Sequence, residues 1–368
     1  MILVADPGAA YRAQKDAIDA AVARVLQSGW YILGAEVEAF EREFGAWAQS
    51  PHAVSCASGT DALVLALRGA GIGPSDLVAT VSHTAVATVA AIELVGAHVE
   101  LLDVDPLRYT LSPASLQKAL ENGSGRHKAV IVVHLYGQMA DMPAIEALCQ
   151  KHDLILIEDC AQAQGARLQG RMAGTWGQAA SFSFYPTKNL GALGDGGAVT
   201  FKDPEQAEEA RRLRQYGWRE RYISEEAGLN SRLDEIQAAV LRVKLPALDA
   251  GNARRQAIAK RYDARLAALG WPAPSVAVGA EHVYHQYVLR HARRDALAAH
   301  FKSKGVGSAI LYPVPIHLQP AYEDRVSRGA DGLAATESLA KEILSLPVHP
   351  GLSDADVDQV CEALASFE

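Results

Sequence analysis

Short apolar runs alternate with amphipathic stretches along most of this chain. Val37, Phe40, Phe44 and Trp47 recur at the spacing of one helix face, predicting a helix over 35–48 with that stripe in the core. A helix over 12–28 ends at Ser28-Gly29. β-branched and apolar runs at 53–56, 77–81, 98–102, 128–133 and 154–158 predict strands, with helices at about 60–70, 84–95, 112–121 and 143–152 between them. Such runs, separated by helices, predict an α/β fold with a mostly parallel central sheet and crossover helices. Beyond residue 179 the strands shorten, at 179–184 and 197–201, and a helix follows at about 204–215. A long helical stretch then runs from 232 through the 260s, interrupted at Pro246. The remainder mixes strands near 283–290 and 308–311 with helices near 293–303, 333–343 and 353–365. This change of pattern divides the chain into a large domain with N-terminal helices, 1–248, and a smaller α+β C-terminal domain, 249–368.

Composition narrows the function. Apolar residues make up 49% and charged residues 21% of 368, the balance of a soluble globular protein. Thirty-five basic against 43 acidic side chains give a net charge of −8, and no basic tract offsets it. This argues against nucleic acid or an anionic membrane as the main partner. The four cysteines show no CxxC pairing and read as buried, reduced thiols. His282 and His285 are the closest histidine pair, but no third ligand stands near them and no metal site is expected. No run approaches the roughly 18 apolar residues of a membrane helix, so a cytoplasmic enzyme is expected.

The candidate chemistry lies at strand ends. Lys188 follows a short apolar run in Ser183-Phe184-Tyr185-Pro186-Thr187-Lys188, ahead of the turn Gly194-Asp195-Gly196-Gly197. A single amine fixed by a Pro-containing turn suits covalent catalysis at a carbonyl, and alone it reads equally as a surface lysine. Ser58-Gly59-Thr60 joins a strand to a helix, where unpaired N–H groups, hydroxyls and the helix dipole favour phosphate; an ordinary N-cap looks the same. Asp159 ends an apolar strand and needs a partner, either a protonated pyridine nitrogen or its own loop. Gln162 is placed to bond a ring hydroxyl or to face solvent. Ser183 offers another phosphate contact or is a satisfied strand serine. Together they match the needs of pyridoxal phosphate: an anchored phosphate, an acid for the ring nitrogen and an amine for the aldehyde.

The chain resembles the DegT/DnrJ/EryC1/StrS family of nucleotide-sugar aminotransferases, fold type I of the pyridoxal-phosphate enzymes. The resemblance spans nearly the whole sequence. It rests on Ser28-Gly29-Trp30-Tyr31-Ile32-Leu33-Gly34, Ala57-Ser58-Gly59-Thr60-Asp61, Glu158-Asp159-Cys160-Ala161-Gln162, the Lys188 segment, Gly228-Leu229-Asn230-Ser231-Arg232-Leu233-Asp234-Glu235 and Tyr312-Pro313-Val314-Pro315-Ile316-His317. The resemblance implies that Lys188 bonds the cofactor aldehyde and that Asp159 faces the ring nitrogen. Gln162 would bond the ring hydroxyl, and Gly59, Thr60 and Ser183 would hold the phosphate. Asn230 would reach the phosphate of a neighbouring subunit, implying a homodimer with shared active sites.

One departure concerns Ser82-His83-Thr84-Ala85-Val86, where Ala85 occupies the position at which relatives carry an aromatic ring stacked on the cofactor. His83 is the substitute expected here. Val133-His134-Leu135-Tyr136-Gly137-Gln138, Leu213-Arg214-Gln215-Tyr216-Gly217-Trp218 and Leu241-Arg242-Val243-Lys244-Leu245 look most like members acting on dTDP-linked 3-keto-6-deoxy sugars, with L-glutamate as amino donor and pyridoxamine phosphate as the intermediate cofactor form. Tyr185, Tyr222, Tyr312 and His317 are the candidate substrate contacts. C4 amination of a 4-ketosugar is the alternative. Sugar dehydratases using pyridoxamine phosphate carry histidine where Lys188 stands, and regulators on this fold carry an added DNA-binding module that this chain lacks.

Overall fold

The computed structural model describes residues 1–122 and 127–367. Its centre is an eight-stranded sheet built from β1 (His52–Cys56), β2 (Leu77–Val81), β3 (His98–Leu102), β4 (His127–Val133), β5 (Ile155–Asp159), β6 (Ala179–Ser183), β7 (Gly197–Phe201) and β8 (Ser327–Arg328). The spatial order is β1-β7-β6-β5-β4-β2-β3-β8, parallel throughout except that β7 runs antiparallel to both neighbours. The segment between β6 and β7 contains no helix, and a parallel return needs a crossover. The direction of β7 follows from that.

Both faces of the sheet are covered, which is why its strands are apolar runs. Along β4, Val130 and Val132 join one buried cluster while Ala129 and Ile131 join the other. Phe40 and Phe44 of the predicted stripe are fully buried in the first cluster. A third core gathers the C-terminal elements around Tyr262, Tyr287 and Phe301, and Ile2 from the N-terminal end packs into it. Among the described residues, no helix is long and apolar enough to cross a membrane.

Several boundaries differ from expectation. The 12–28 helix begins earlier and breaks at Gln14, giving Pro7–Ala13 and Lys15–Ser28; Asp6 caps the first piece and Pro7 opens it. The helix predicted at 84–95 spans Val86–Leu94, which leaves Thr84 outside it and Ala85 extended. No ladder forms over 308–311, where Ala309 makes a single bridge to Ser345. The Leu311 carbonyl is instead occupied by the Tyr136 hydroxyl. The C-terminal strand is confined to Tyr287–Arg290, because Val283 and Gln286 donate to the Gly137 and Tyr136 carbonyls. β8 was not foreseen. It returns from beyond residue 248 to the edge of the large sheet, and Ile316, Tyr322, Val326 and Leu333 pack with it against that sheet's core.

Candidate active site

β1, β4, β5 and β6 end at the same edge of the sheet, where ligands of open α/β sheets gather. A cavity of about 240 Å³ lies there, lined by Ser58, Gly59, Thr60, Thr84, Ala85, Asp159, Ala161, Gln162, Ser183, Tyr185, Lys188 and Asp195.

At one end Ser58 opens the helix Gly59–Gly69 in extended geometry, and its Oγ accepts from the Asp61 N–H at 3.1 Å. The chain can pass so closely only because of two glycines. A Cβ on Gly59 would lie 2.6 Å from the Ser183 Cβ, and one on Gly197 would lie 2.2 Å from the Ser58 carbonyl oxygen. The helix N-terminus, Thr60 and Ser183 therefore converge on one small volume, a setting that attracts an anion.

At the other end stand the acid and the amine. Asp159 is 5% exposed. Its Oδ1 accepts from the Ala161 N–H at 3.1 Å and its Oδ2 from the Thr88 hydroxyl at 3.0 Å. Burial nonetheless raises its pKa, against the pull of those two hydrogen bonds and of Lys188. Lys188 remains partly accessible although protein atoms pack closely around it. Burial lowers its pKa to about 8, while the Asp159 charge pulls the other way. An amine so depressed is largely free base in mildly alkaline solution, the reactive form.

Gln162 is locked by two contacts. Its Oε1 accepts from the Tyr136 N–H at 2.7 Å, and its Nε2 donates to the Tyr312 hydroxyl at 3.3 Å. Tyr136 holds a left-handed backbone with φ of 62°, and the Gln162 bond fixes its amide there. Burial raises the Tyr312 pKa to about 12, so its hydroxyl stays protonated.

The structure brings together Gly59, Thr60, Asp159, Gln162, Ser183, Tyr185 and Lys188 on the cavity wall, with Tyr312 behind Gln162. It separates four others. His83 is 1% exposed and off the wall, with its Nε2 at 2.8 Å from the Tyr136 hydroxyl; Thr84 and Ala85 form the wall instead. The buried tyrosine draws the imidazole away from the place expected for a stacking ring. His317 is fully buried, bonded through Nδ1 to the Ser82 hydroxyl at 2.7 Å and through Nε2 to Glu337 at 3.2 Å. Those bonds make it a brace between segments. Tyr222 is 73% exposed on a hairpin tip beside Trp218, away from the cavity of its own chain. Asn230 lines an adjoining recess with Arg232 and Gln237, which meets the cavity only at Asp195.

Thr88 and Asp195 were missed. Thr88 stands in the first turn of an otherwise apolar helix start, Val86-Ala87-Thr88-Val89, and a lone hydroxyl there was a usable signal. Asp195 stands in the Gly194–Gly197 turn and carried no signal beyond that.

The residues present fit pyridoxal phosphate. A buried carboxylate whose pKa is raised gains from a cationic ring N–H beside it, a helix start receives a phosphate, and a depressed amine meets an aldehyde. Fold and site thus define a pyridoxal-phosphate-dependent aminotransferase on an α/β scaffold. The chain belongs to the DegT/DnrJ/EryC1/StrS aminotransferase family, whose sequence profile matches residues 12–365. It is 46% identical over 363 residues to a dTDP-3-amino-3,4,6-trideoxy-alpha-D-glucose transaminase of Streptomyces venezuelae, covering 98% of this chain and 95% of that one. A UDP-N-acetyl-3-dehydro-alpha-D-glucosamine 3-aminotransferase of Acidithiobacillus ferrooxidans is 40% identical over 350 residues, 95% of this chain and 93% of the other. The crystal structure of S. venezuelae DesV in complex with a ketimine intermediate matches at a TM-score of 0.94 and 46% identity, covering 99% of this chain and 97% of that one.

Proposed function

We propose that this enzyme moves an amino group from L-glutamate to C3 of a dTDP-linked 3-keto-6-deoxy sugar. The observation that carries this reading is the shared position in the names of two relatives. One takes a dTDP sugar and the other a UDP sugar, and both names place the nitrogen at C3. The dTDP assignment rests on the more similar of the two.

Bound pyridoxal phosphate would supply an electrophilic aldehyde and a ring able to take up the electrons released when the donor loses its α-proton. The chain's own residues do the rest. Ser58, Gly59, Thr60 and Ser183 hold the phosphate at the helix start. The Asp159 carboxylate, kept in place by Thr88 and Ala161, would accept the ring nitrogen's N–H and keep it protonated. Gln162, held by Tyr312, would bond the ring hydroxyl. The Lys188 Nζ, free base above its depressed pKa, takes the proton from the donor's α-carbon and returns one to the sugar's C3 in the second half of the reaction. Tyr185, about half exposed on the wall, meets the sugar. Asn230 and Tyr222, turned away from their own cavity, serve the site of a second subunit in a homodimer.

The test is an assay of 3-keto and 4-keto nucleotide sugars, generated in place, with glutamate as donor. NMR of the product locates the new nitrogen. Nitrogen at C3 is expected. Nitrogen at C4 would replace this reading with the 4-aminosugar alternative.

A further inference from the structure

Behind the Lys188 loop lies a second cavity, of about 360 Å³. Lys188 lines both cavities, so its loop is the partition between them. The walls of the second come from the N-terminal helix, from the start of the long helix Leu248–Ala268 and from the turn at 349–351.

Five of its nine polar side chains are basic, against one carboxylate. Lys244 is 7% exposed and donates to the Gly191 carbonyl at 2.7 Å. Arg255 is 6% exposed and donates to the Tyr284 and Val348 carbonyls. Among the described residues neither cation makes an ion pair. Burial without an opposing acid lowers Lys244 to about 8 and Arg255 to about 10. His349 is 7% exposed, and neither ring nitrogen has a partner in hydrogen-bond geometry; burial and the Arg255 charge lower its pKa, against the weaker pull of the nearby Leu3 carbonyl and Asp6. The one carboxylate on the wall, Asp6, is engaged by Arg12 and by the Ala9 N–H. Arg254 is neutralised by Asp354. Buried cations without counter-charges and a buried imidazole without a partner are both costly unless something answers them. The N-terminal helix adds apolar lining from Pro7, Ala10 and Ala13.

We propose that this cavity binds a small organic acid, its carboxylate between Lys244, Arg255 and His349 and its apolar body against Pro7, Ala10 and Ala13. Such a ligand satisfies the imidazole and supplies the missing negative charge. It also sits against Pro186 and Thr187, the back of the loop that carries Lys188. The site is separate from the one that takes the amino donor and acceptor, and the inference does not depend on which sugar is aminated.

The probe is 4-bromobenzoate, with neutral 4-bromobenzamide as its control, both applied to the cofactor-loaded enzyme. Crystals soaked in the acid are expected to show anomalous bromine density in this cavity with the carboxylate toward His349. Calorimetry is expected to give saturable binding of the acid, at least about tenfold weaker for the amide and for Lys244→Met and His349→Leu. Bromine density only beside Asp159, absence of density, or equal affinity for acid and amide overturns the proposal. The soak requires no variant, so misfolding of a variant cannot rescue it.

Discussion

The Thr88 hydroxyl donates to Asp159 Oδ2 at 3.0 Å, joining the helix Val86–Leu94 to the end of β5 across the sheet's edge. With the Ala161 N–H on Oδ1, each carboxylate oxygen has one fixed donor, and the group is aimed as well as buried. Thr88→Val keeps the shape and removes the donor. An unpaired buried acceptor costs about 1–3 kcal/mol. Asp159 would then hold its charge less well, and cofactor retention on dialysis should fall by about tenfold or more. Retention equal to wild type would show that Thr88 does not aim the acid.

Burial pushes the Lys188 amine down to about 8, against 10.5 for an ordinary lysine. The rate at which cofactor-free protein captures pyridoxal phosphate, followed by absorbance, should therefore rise with pH and level off above a midpoint near 8. Because the Asp159 charge raises this pKa, Asp159→Asn should move the midpoint lower. Lys188→Ala should abolish the absorbance change. A wild-type midpoint near 10.5 would mean that burial does not act on this amine.

Gly59 leaves no room for a side chain, since a Cβ there would meet the Ser183 Cβ at 2.6 Å and its Cα at 3.2 Å. Gly59→Ala must push the helix start away from β6. Overpacking of this kind costs about 1–3 kcal/mol, and the shift falls on the phosphate site. Lower thermal stability and weaker cofactor retention should appear together. Gly73→Ala is the control, because nothing lies within 4 Å of a Cβ there. Matching behaviour of the two variants would refute the argument.

Buried histidines lower the stability of the fold in acid, His83 and His282 among them. Burial depresses His83 from 6.5 to about 4 and His282 from 6.5 to about 3. The unfolded chain binds these protons below pH 6.5 while the native protein does not, so stability falls as pH drops from 6.5 toward 4. His83 alone contributes a loss on the order of 3 kcal/mol by pH 4. His83→Gln should flatten the dependence of Tm on pH in that window without reversing it. An unchanged slope would show that His83 takes up its proton in the native state.

The sheet was readable because its strands are buried on both faces and so appear as uninterrupted apolar runs; β2, β3 and β7 fall where the pattern put them. Lys188 and Asp159 were readable because position at a strand end and chemical type coincide. Side-chain direction was not. His83 and His317 stand in segments that border the site, yet Tyr136 and Ser82, distant along the chain from their partners, turn them into the protein. β8 is two residues long, too short to show a period. Tyr222 and Asn230 face outward, and the direction of an exposed side chain leaves no trace in the strand or helix pattern.

That two-residue strand has a consequence for anyone who would divide the protein. Ser327 and Arg328 pair with Glu100 and Leu101 and close the outer margin of β3. Truncating the chain near residue 248 would strip this seal and uncover a row of backbone donors and acceptors flanked by Val99 and Leu101. The N-terminal fragment would then offer its own copies a ready template for edge-to-edge association. The fragment should aggregate even though seven of the eight strands are intact.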